Sequence, residues 1–279
     1  MEKGKRIRKK SIAGRLLTWL VLLAALAGYI WWGNRALMTT EIAVTLADLP
    51  EAFSGFRIAQ ISDLHNAQFG EDNERLLDKL VQCRPDIIVL TGDLFDSNHP
   101  DLDIAARFAA DAARIAPTYY VTGNHEGFAR KDYTKLKSQL LEAGVQVLEN
   151  KIVELERSGE TVSLIGLHDN WFTSVPETVA ELVPLAGECS ILLAHRPEMA
   201  EAYAETGVDL VFSGHAHGGQ FRLPFIGGIL SPGQGFLPQY DAGLYQVQNT
   251  QLIVSRGLGN SRFPFRFNNR PEIVLAVLN

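Results

Sequence analysis

The sequence predicts an α/β domain preceded by a single transmembrane helix, and three observations carry that prediction. The composition, 46% hydrophobic and 21% charged over 279 residues, is that of an ordinary globular chain and excludes disordered, collagenous and low-complexity classes. An uncharged apolar run follows a basic N-terminus. From Phe56 onward, short apolar stretches alternate with helical patterns, as in a domain built around a large sheet.

Residues 1–15 hold seven Lys or Arg and one acid and read as a basic cytoplasmic N-terminus. The segment Leu16–Trp32 carries no charge, and at about 1.5 Å per residue it reaches roughly 25 Å, the short end for a bilayer crossing. Trp31 and Trp32 stand at one end, where interfacial aromatics belong. The excess of bases before this segment over the single Arg35 just after it keeps the N-terminus in the cytoplasm. Residues 16–33 are therefore expected to be a signal-anchor. The chain becomes a single-pass protein of the cell membrane, its main domain on the extracytoplasmic side. A cleaved signal peptide is the competing reading, since "ALA" at 25–27 resembles a cleavage site, but the apolar run continues past it. Residues 34–48 then read as a tether, and 49–279 as one domain.

Within the body, 56–62, 86–92, 118–123, 161–167, 190–195 and 208–214 read as strands, apolar enough to be covered on both faces. Helical spacing is found at 71–83, 101–115 and 131–144, the last ending in a glycine that suits a C-cap. Segments 244–257 and 271–278 read as further strands. Cys83 and Cys189 match no metal or redox spacing and are expected to be buried thiols, with a single disulfide as the alternative.

Of 26 bases and 32 acids in the chain, residues 16–279 keep 19 and 31, a net charge of −12. Such a body disfavours broad nucleic-acid binding. An anionic substrate would need a local positive feature.

That feature is expected at the strand tips. After the first strand comes Asp63-Leu-His65, after the second Asp93, and after the third Asn124 and His125 in "GNHE". His195 follows the fifth, and the sixth runs into "SGHAHGGQ" with His215 and His217. Sites in open α/β sheets form beyond the carboxyl ends of the strands, so these groups converge if the strands are neighbours. The set mixes carboxylate, amide and imidazole donors, which suits Zn, Mn or Fe better than Ca or Mg. It exceeds what one ion needs and matches two divalent metal ions sharing one carboxylate. Five of the seven histidines fall at these tips; His99 and His168 are read as structural.

The order D-x-H, G-D, G-N-H-E, H, G-H-x-H resembles the calcineurin-like metallophosphoesterases, and the flanks at 49–65 and 254–273 look like the membrane-associated bacterial branch of that superfamily. The resemblance implies a four-layer α-β-β-α sandwich. It also implies a first metal held by Asp63, His65, Asp93 and His217, and a second held by Asp93, Asn124, His195 and His215, with Asp93 bridging. His125 would face the substrate as the catalytic residue, protonating the leaving group or steadying the transition state. The implied activity is hydrolysis of a phosphoester, a phosphodiester or pyrophosphate above all, by a hydroxide held between the ions. A phosphomonoesterase, or an anchored envelope-binding protein with a structural metal centre, are the alternatives.

The segment 221–240 is apolar and rich in Gly and Pro, and Arg256, Arg262, Arg266 and Arg270 follow, interleaved with Phe263, Phe265 and Phe267. These arginines either hold phosphate or lie in a packed C-terminal loop. With the anchor, the apolar segment suggests a lipid-linked phosphoester as substrate.

Overall fold

The computed structural model describes residues 12–169 and 175–279; most of the basic N-terminal run lies outside them. The chain opens with helix α1 (Ile12–Gly33). Its span Gly14–Gly33, mean hydropathy 1.7, is not buried against the rest of the protein. Twenty helical residues cover about 30 Å, enough to cross a membrane.

The elements that follow are β1 (Met38–Val44), β2 (Arg57–Ile61), α2 (Glu74–Cys83), β3 (Ile87–Thr91), α3 (Leu102–Ile115), β4 (Thr118–Val121), the short α4 (Asn124–Phe128) and α5 (Arg130–Glu142). Next come β5 (Gln146–Val147), β6 (Lys151–Arg157), β7 (Glu160–Gly166), α6 (Val175–Leu182), β8 (Ser190–Leu193), α7 (Ala200–Ala204) and β9 (Leu210–Ser213). Two small hairpins, β10 (Arg222–Leu223) with β11 (Gly227–Gly228) and β12 (Leu230–Ser231) with β13 (Gly235–Phe236), precede β14 (Gly243–Val247), β15 (Thr250–Val254) and β16 (Glu272–Leu278).

Two six-stranded sheets result, ordered β1-β16-β2-β3-β4-β5 and β14-β15-β9-β8-β7-β6. Side-chain alternation along each strand sorts the apolar residues into three cores. Between the sheets, Ile58, Val89 and Val121 meet Leu164, Ile191 and Phe212. On the outer face of the first sheet, Ala59, Ile61 and Leu90 pack on Leu80 of α2, Phe108 of α3 and Leu136 of α5. On the outer face of the second, Leu192 and Val211 pack on Val179 of α6 and Tyr203 of α7. The layers therefore run helix, sheet, sheet, helix. Both faces of β2, β3, β8 and β9 are covered, which is why their sequences are nearly all apolar.

The stretch 34–48 is not a free tether. Its residues Met38–Val44 form β1, paired in parallel with β16 over seven positions. Here every second residue turns outward, so the pattern is polar enough to pass for linker; Val44 and Leu46 are nevertheless buried. Helix α3 begins where Asp101 accepts a hydrogen bond from Ile104 N–H at 3.3 Å, an N-cap on the expected boundary. Cys83 and Cys189 are both free and buried, and they sit in different cores, which excludes the disulfide.

Candidate metal centre

Strands β2, β3 and β4 are parallel neighbours, as are β7, β8 and β9 in the other sheet. Their carboxyl ends open on the same edge of the sandwich. Gln60 ties the two sheets there, its Nε2 donating to Ser213 O at 2.8 Å and to Thr91 Oγ1 at 2.9 Å. The loops leaving this edge bring together all eight residues expected at the strand tips, every one of them buried.

The backbone at these tips is held tightly. Asp63, His65, Asp93, His215 and His217 all have φ between 44° and 64°, a left-handed conformation that non-glycine residues adopt at a cost the surrounding structure must offset. Gly92 shows why glycine flanks them. Its φ is 92°, and a Cβ there would lie 2.6 Å from both Gly123 N and His195 Nδ1. Backbone bonds fix the register: Asp63 N–H donates to Gly92 O at 3.0 Å, and His65 N–H to Asp93 O at 3.1 Å.

Three groups of side chains emerge among the described residues, one of them His65, Asp96 and His125. Asp63, His65 and His217 offer ligand atoms within 4.8 Å of one another, and so do Asp93, His195 and His215. His65 Nε2 lies 3.5 Å from Asp93 Oδ2, and His195 Nε2 lies 3.2 Å from the same oxygen, so Asp93 stands between these last two groups. His217 Nε2 is 3.5 Å from Asp63 Oδ1.

The donors fit a pair of cations. His195 Nδ1 sits 2.7 Å from Thr91 O. A carbonyl can only accept, so Nδ1 carries the proton and the Nε2 lone pair of the neutral ring points at the Asp93 carboxylate. His195 Nε2, Asp93 Oδ2, His65 Nε2 and Asn124 Oδ1 are all buried without a hydrogen-bond partner among the described residues. Buried polar atoms are rarely left so. A shared positive charge satisfies all four. Without ions the protons bear that load: burial pushes the His195 imidazole down, but the Asp93 carboxylate beside it lifts it to about 10. Burial likewise opposes ionisation of Asp63, yet His217 and His65 hold its carboxyl well below the usual range. His217, by contrast, is driven down by burial to about 3, against the opposing pull of Asp63.

His125 stands apart from this pattern. Ser97 N–H donates to its Nδ1 at 2.9 Å, which leaves the ring proton on Nε2. That nitrogen faces outward to Ser261 Oγ at 3.4 Å. The main chain of His125 is pinned to the centre, its N–H donating to Asp93 Oδ1 at 2.8 Å.

Glu126 has no role expected from the sequence, yet its buried carboxylate accepts the N–H groups of Gly123 at 2.7 Å, Asp93 at 2.9 Å and Leu94 at 3.0 Å. It orients the turn that presents Asp93 and the start of α4. The signal was present: it is the last residue of "GNHE", an acid in a stretch otherwise assigned to ligands. Glu198 was also missed; it lies 3.6 Å from His215 Nε2. His99 is exposed, and His168 lies 3.0 Å from Thr122 Oγ1, outside these groups. Three of the four C-terminal arginines belong to a packed loop. Arg266 is 1% exposed and donates to Gly259 O and Arg256 O. Arg270 donates to Ala36 O and Leu37 O, and Arg256 approaches Glu272. Arg262 is exposed.

Residues 56–219, which span all eight residues gathered at the strand tips, match the family described as Calcineurin-like phosphoesterase. The chain belongs to the calcineurin-like phosphoesterases. It is 32% identical over 253 residues to the uncharacterized metallophosphoesterase YkuE of Bacillus subtilis, covering 86% of this chain and 85% of that one. It is 29% identical to phosphodiesterase YaeI of Escherichia coli, covering 84% and 86%. A transmembrane protein with metallophosphoesterase domain from Danio rerio is 29% identical, matched over 85% of this chain and 56% of its own length. As a calcineurin-like phosphoesterase the chain is a metal-dependent phosphoester hydrolase.

Proposed function

We propose that this phosphoesterase is an anchored phosphodiesterase or pyrophosphatase of a lipid-linked or cell-envelope phosphoester, its domain on the extracytoplasmic side. The observation that carries the metal chemistry is the set of orphaned buried atoms, His65 Nε2, Asp93 Oδ2, Asn124 Oδ1 and His195 Nε2, facing one another at the strand tips. Asp63, His65, Asp93 and His217 would hold one ion, and Asp93, Asn124, His195 and His215 the other. When bound, two divalent ions supply a nucleophilic water at neutral pH and neutralise phosphate charge.

The chain's own residues do the rest. Thr91 O fixes the His195 tautomer, and the His215 N–H, donating to both Asp63 carboxylate oxygens at 3.1 Å, fixes that side chain. His125 presents an Nε2–H at the mouth, placed to donate a hydrogen bond that steadies negative charge on a leaving oxygen in the transition state. Burial keeps this imidazole below its ordinary value.

The diester reading is supported by the likeness to phosphodiesterase YaeI. The lipid-linked reading is supported by α1, whose end is bonded to the loop carrying Ser261: Arg266 N–H donates to Asn34 Oδ1 at 2.8 Å. Metal analysis of purified protein, with rates on nitrophenyl mono- and diesters in added Mn²⁺, tests the proposal. Faster diester cleavage that depends on bound metal is expected. A folded protein that takes up no transition ion overturns it.

A further inference from the structure

Beside the mouth of the site the chain exposes a group of large apolar side chains. Phe225 (109% exposed) and Ile226 cap the β10–β11 turn, and Phe236 (71%) and Leu237 lie on the β12–β13 hairpin. Phe263 and Phe265 are partly exposed on the neighbouring loop. The pieces form one surface: the Phe221 ring lies 5.3 Å from Phe263 and 5.5 Å from Phe265, and Leu237 N–H donates to Ile229 O at 2.9 Å. Apolar side chains standing at loop tips mark an interaction surface.

What they meet is indicated by their attachment to α1. Tyr29 Oη donates to Asn268 Oδ1 at 3.1 Å, and its ring packs edge-on against Phe267 at 5.8 Å. Asn34 Nδ2 donates to Arg266 O at 3.0 Å, and Arg270 lies over the Trp32 ring at 5.2 Å. Asn268 Nδ2 reaches on to Arg222 O, at the start of the first hairpin. The end of a bilayer-length helix is thus bonded to the rim through its own interfacial aromatics, with exposed Arg35 and Arg262 nearby in the chain to meet anionic headgroups.

We infer that this rim, Phe225, Ile226, Phe236, Leu237, Phe263 and Phe265, seats on the surface of the bilayer that α1 spans and holds the mouth of the site against it. The inference rests on the reading of α1 as an anchor, and it adds a second, side-chain contact with the same membrane. The loop bearing the rim also bears on the centre: Gln220 Nε2 donates to Phe265 O at 2.6 Å, and Asn269 Nδ2 to His217 O at 2.7 Å. A lipid-borne phosphoester would therefore be met at the membrane surface without leaving it.

The test uses the full chain in nanodiscs of phosphatidylethanolamine and phosphatidylglycerol. An environment-sensitive label is placed at Phe225→Cys, at Glu156→Cys on the far-edge strand β6, and at Leu20→Cys within α1; the native cysteines are buried. The label at 225 is expected to be quenched by spin-labelled lipid and shielded from iodide, and the label at 156 the reverse. Equal iodide access at 225 and 156 overturns the inference, as does shielding at 225 only when two copies share a disc. Lipid quenching at 20 reads the anchor separately, and none of these signals depends on turnover, so failure of the phosphoesterase reading is distinguishable. As a second arm, F225S combined with F236S is expected to slow hydrolysis of a bilayer-borne phosphodiester about tenfold while sparing a soluble nitrophenyl diester. Equal rates of both, before and after substitution, count against it.

Discussion

At the scale of single residues, the centre separates groups that hold charge from groups that position them. His125 donates its backbone N–H to Asp93 and packs its ring edge-on against His65 at 4.5 Å, while its Nε2 points to Ser261 and not to the Asp93 carboxylate. His125→Ala should therefore keep both metals and lose about 10²–10⁴-fold in turnover, the usual contribution of a positioned proton donor. Elemental analysis beside steady-state rates checks this, and loss of both ions would refute the assignment. Glu126 acts through others. Burial and the repulsion of Asp93 push its carboxyl up to about 7, against three backbone N–H groups that favour the anion. Glu126→Gln replaces one acceptor oxygen with an NH2 group, which cannot accept, leaving buried donors unpaired at a cost of about 1–3 kcal/mol. Thermal unfolding should show that loss, together with weaker metal retention by equilibrium dialysis.

At the scale of elements, the strands covered on both faces were legible because burial on two sides demands an unbroken apolar run. β2, β3, β8 and β9 were all read near their true bounds for that reason. β1 was not legible. Its alternating pattern resembles a linker, and only the neighbouring β16 makes it a strand. Limited proteolysis distinguishes the two descriptions: a free tether is cut first within 38–44, whereas a paired strand is spared until the domain unfolds. Mass spectrometry of the early fragments should find no cut there. The role of α1 divides likewise. Its length and composition were plain, but its bonds through Tyr29 and Asn34 to a loop more than 200 positions away in the chain follow from the fold.

At the scale of the molecule, the metal centre is a joint between two sheets. Asp63, Asp93 and Asn124 come from one, and His195, His215 and His217 from the other. Ions held there would clamp the sheets together as well as supply the chemistry. Chelation should abolish phosphoester hydrolysis and also lower the unfolding midpoint. Restoring metal at about 100 times its dissociation constant should return roughly 2.7 kcal/mol of stability. Calorimetry of the stripped and reloaded protein measures it, and an unchanged midpoint would deny the clamp.

The amino-acid order alone picked out the residues that meet at the strand tips, because metal chemistry restricts donors to a few side-chain types and strand ends announce themselves by an apolar run giving way to a small residue and a polar donor. The tautomers of His125 and His195, the buried station of Arg266 and the support from Glu126 were decided only in three dimensions. Each depends on a partner distant in the chain, brought near when the two sheets close on their common core, and a linear pattern carries no record of that distance.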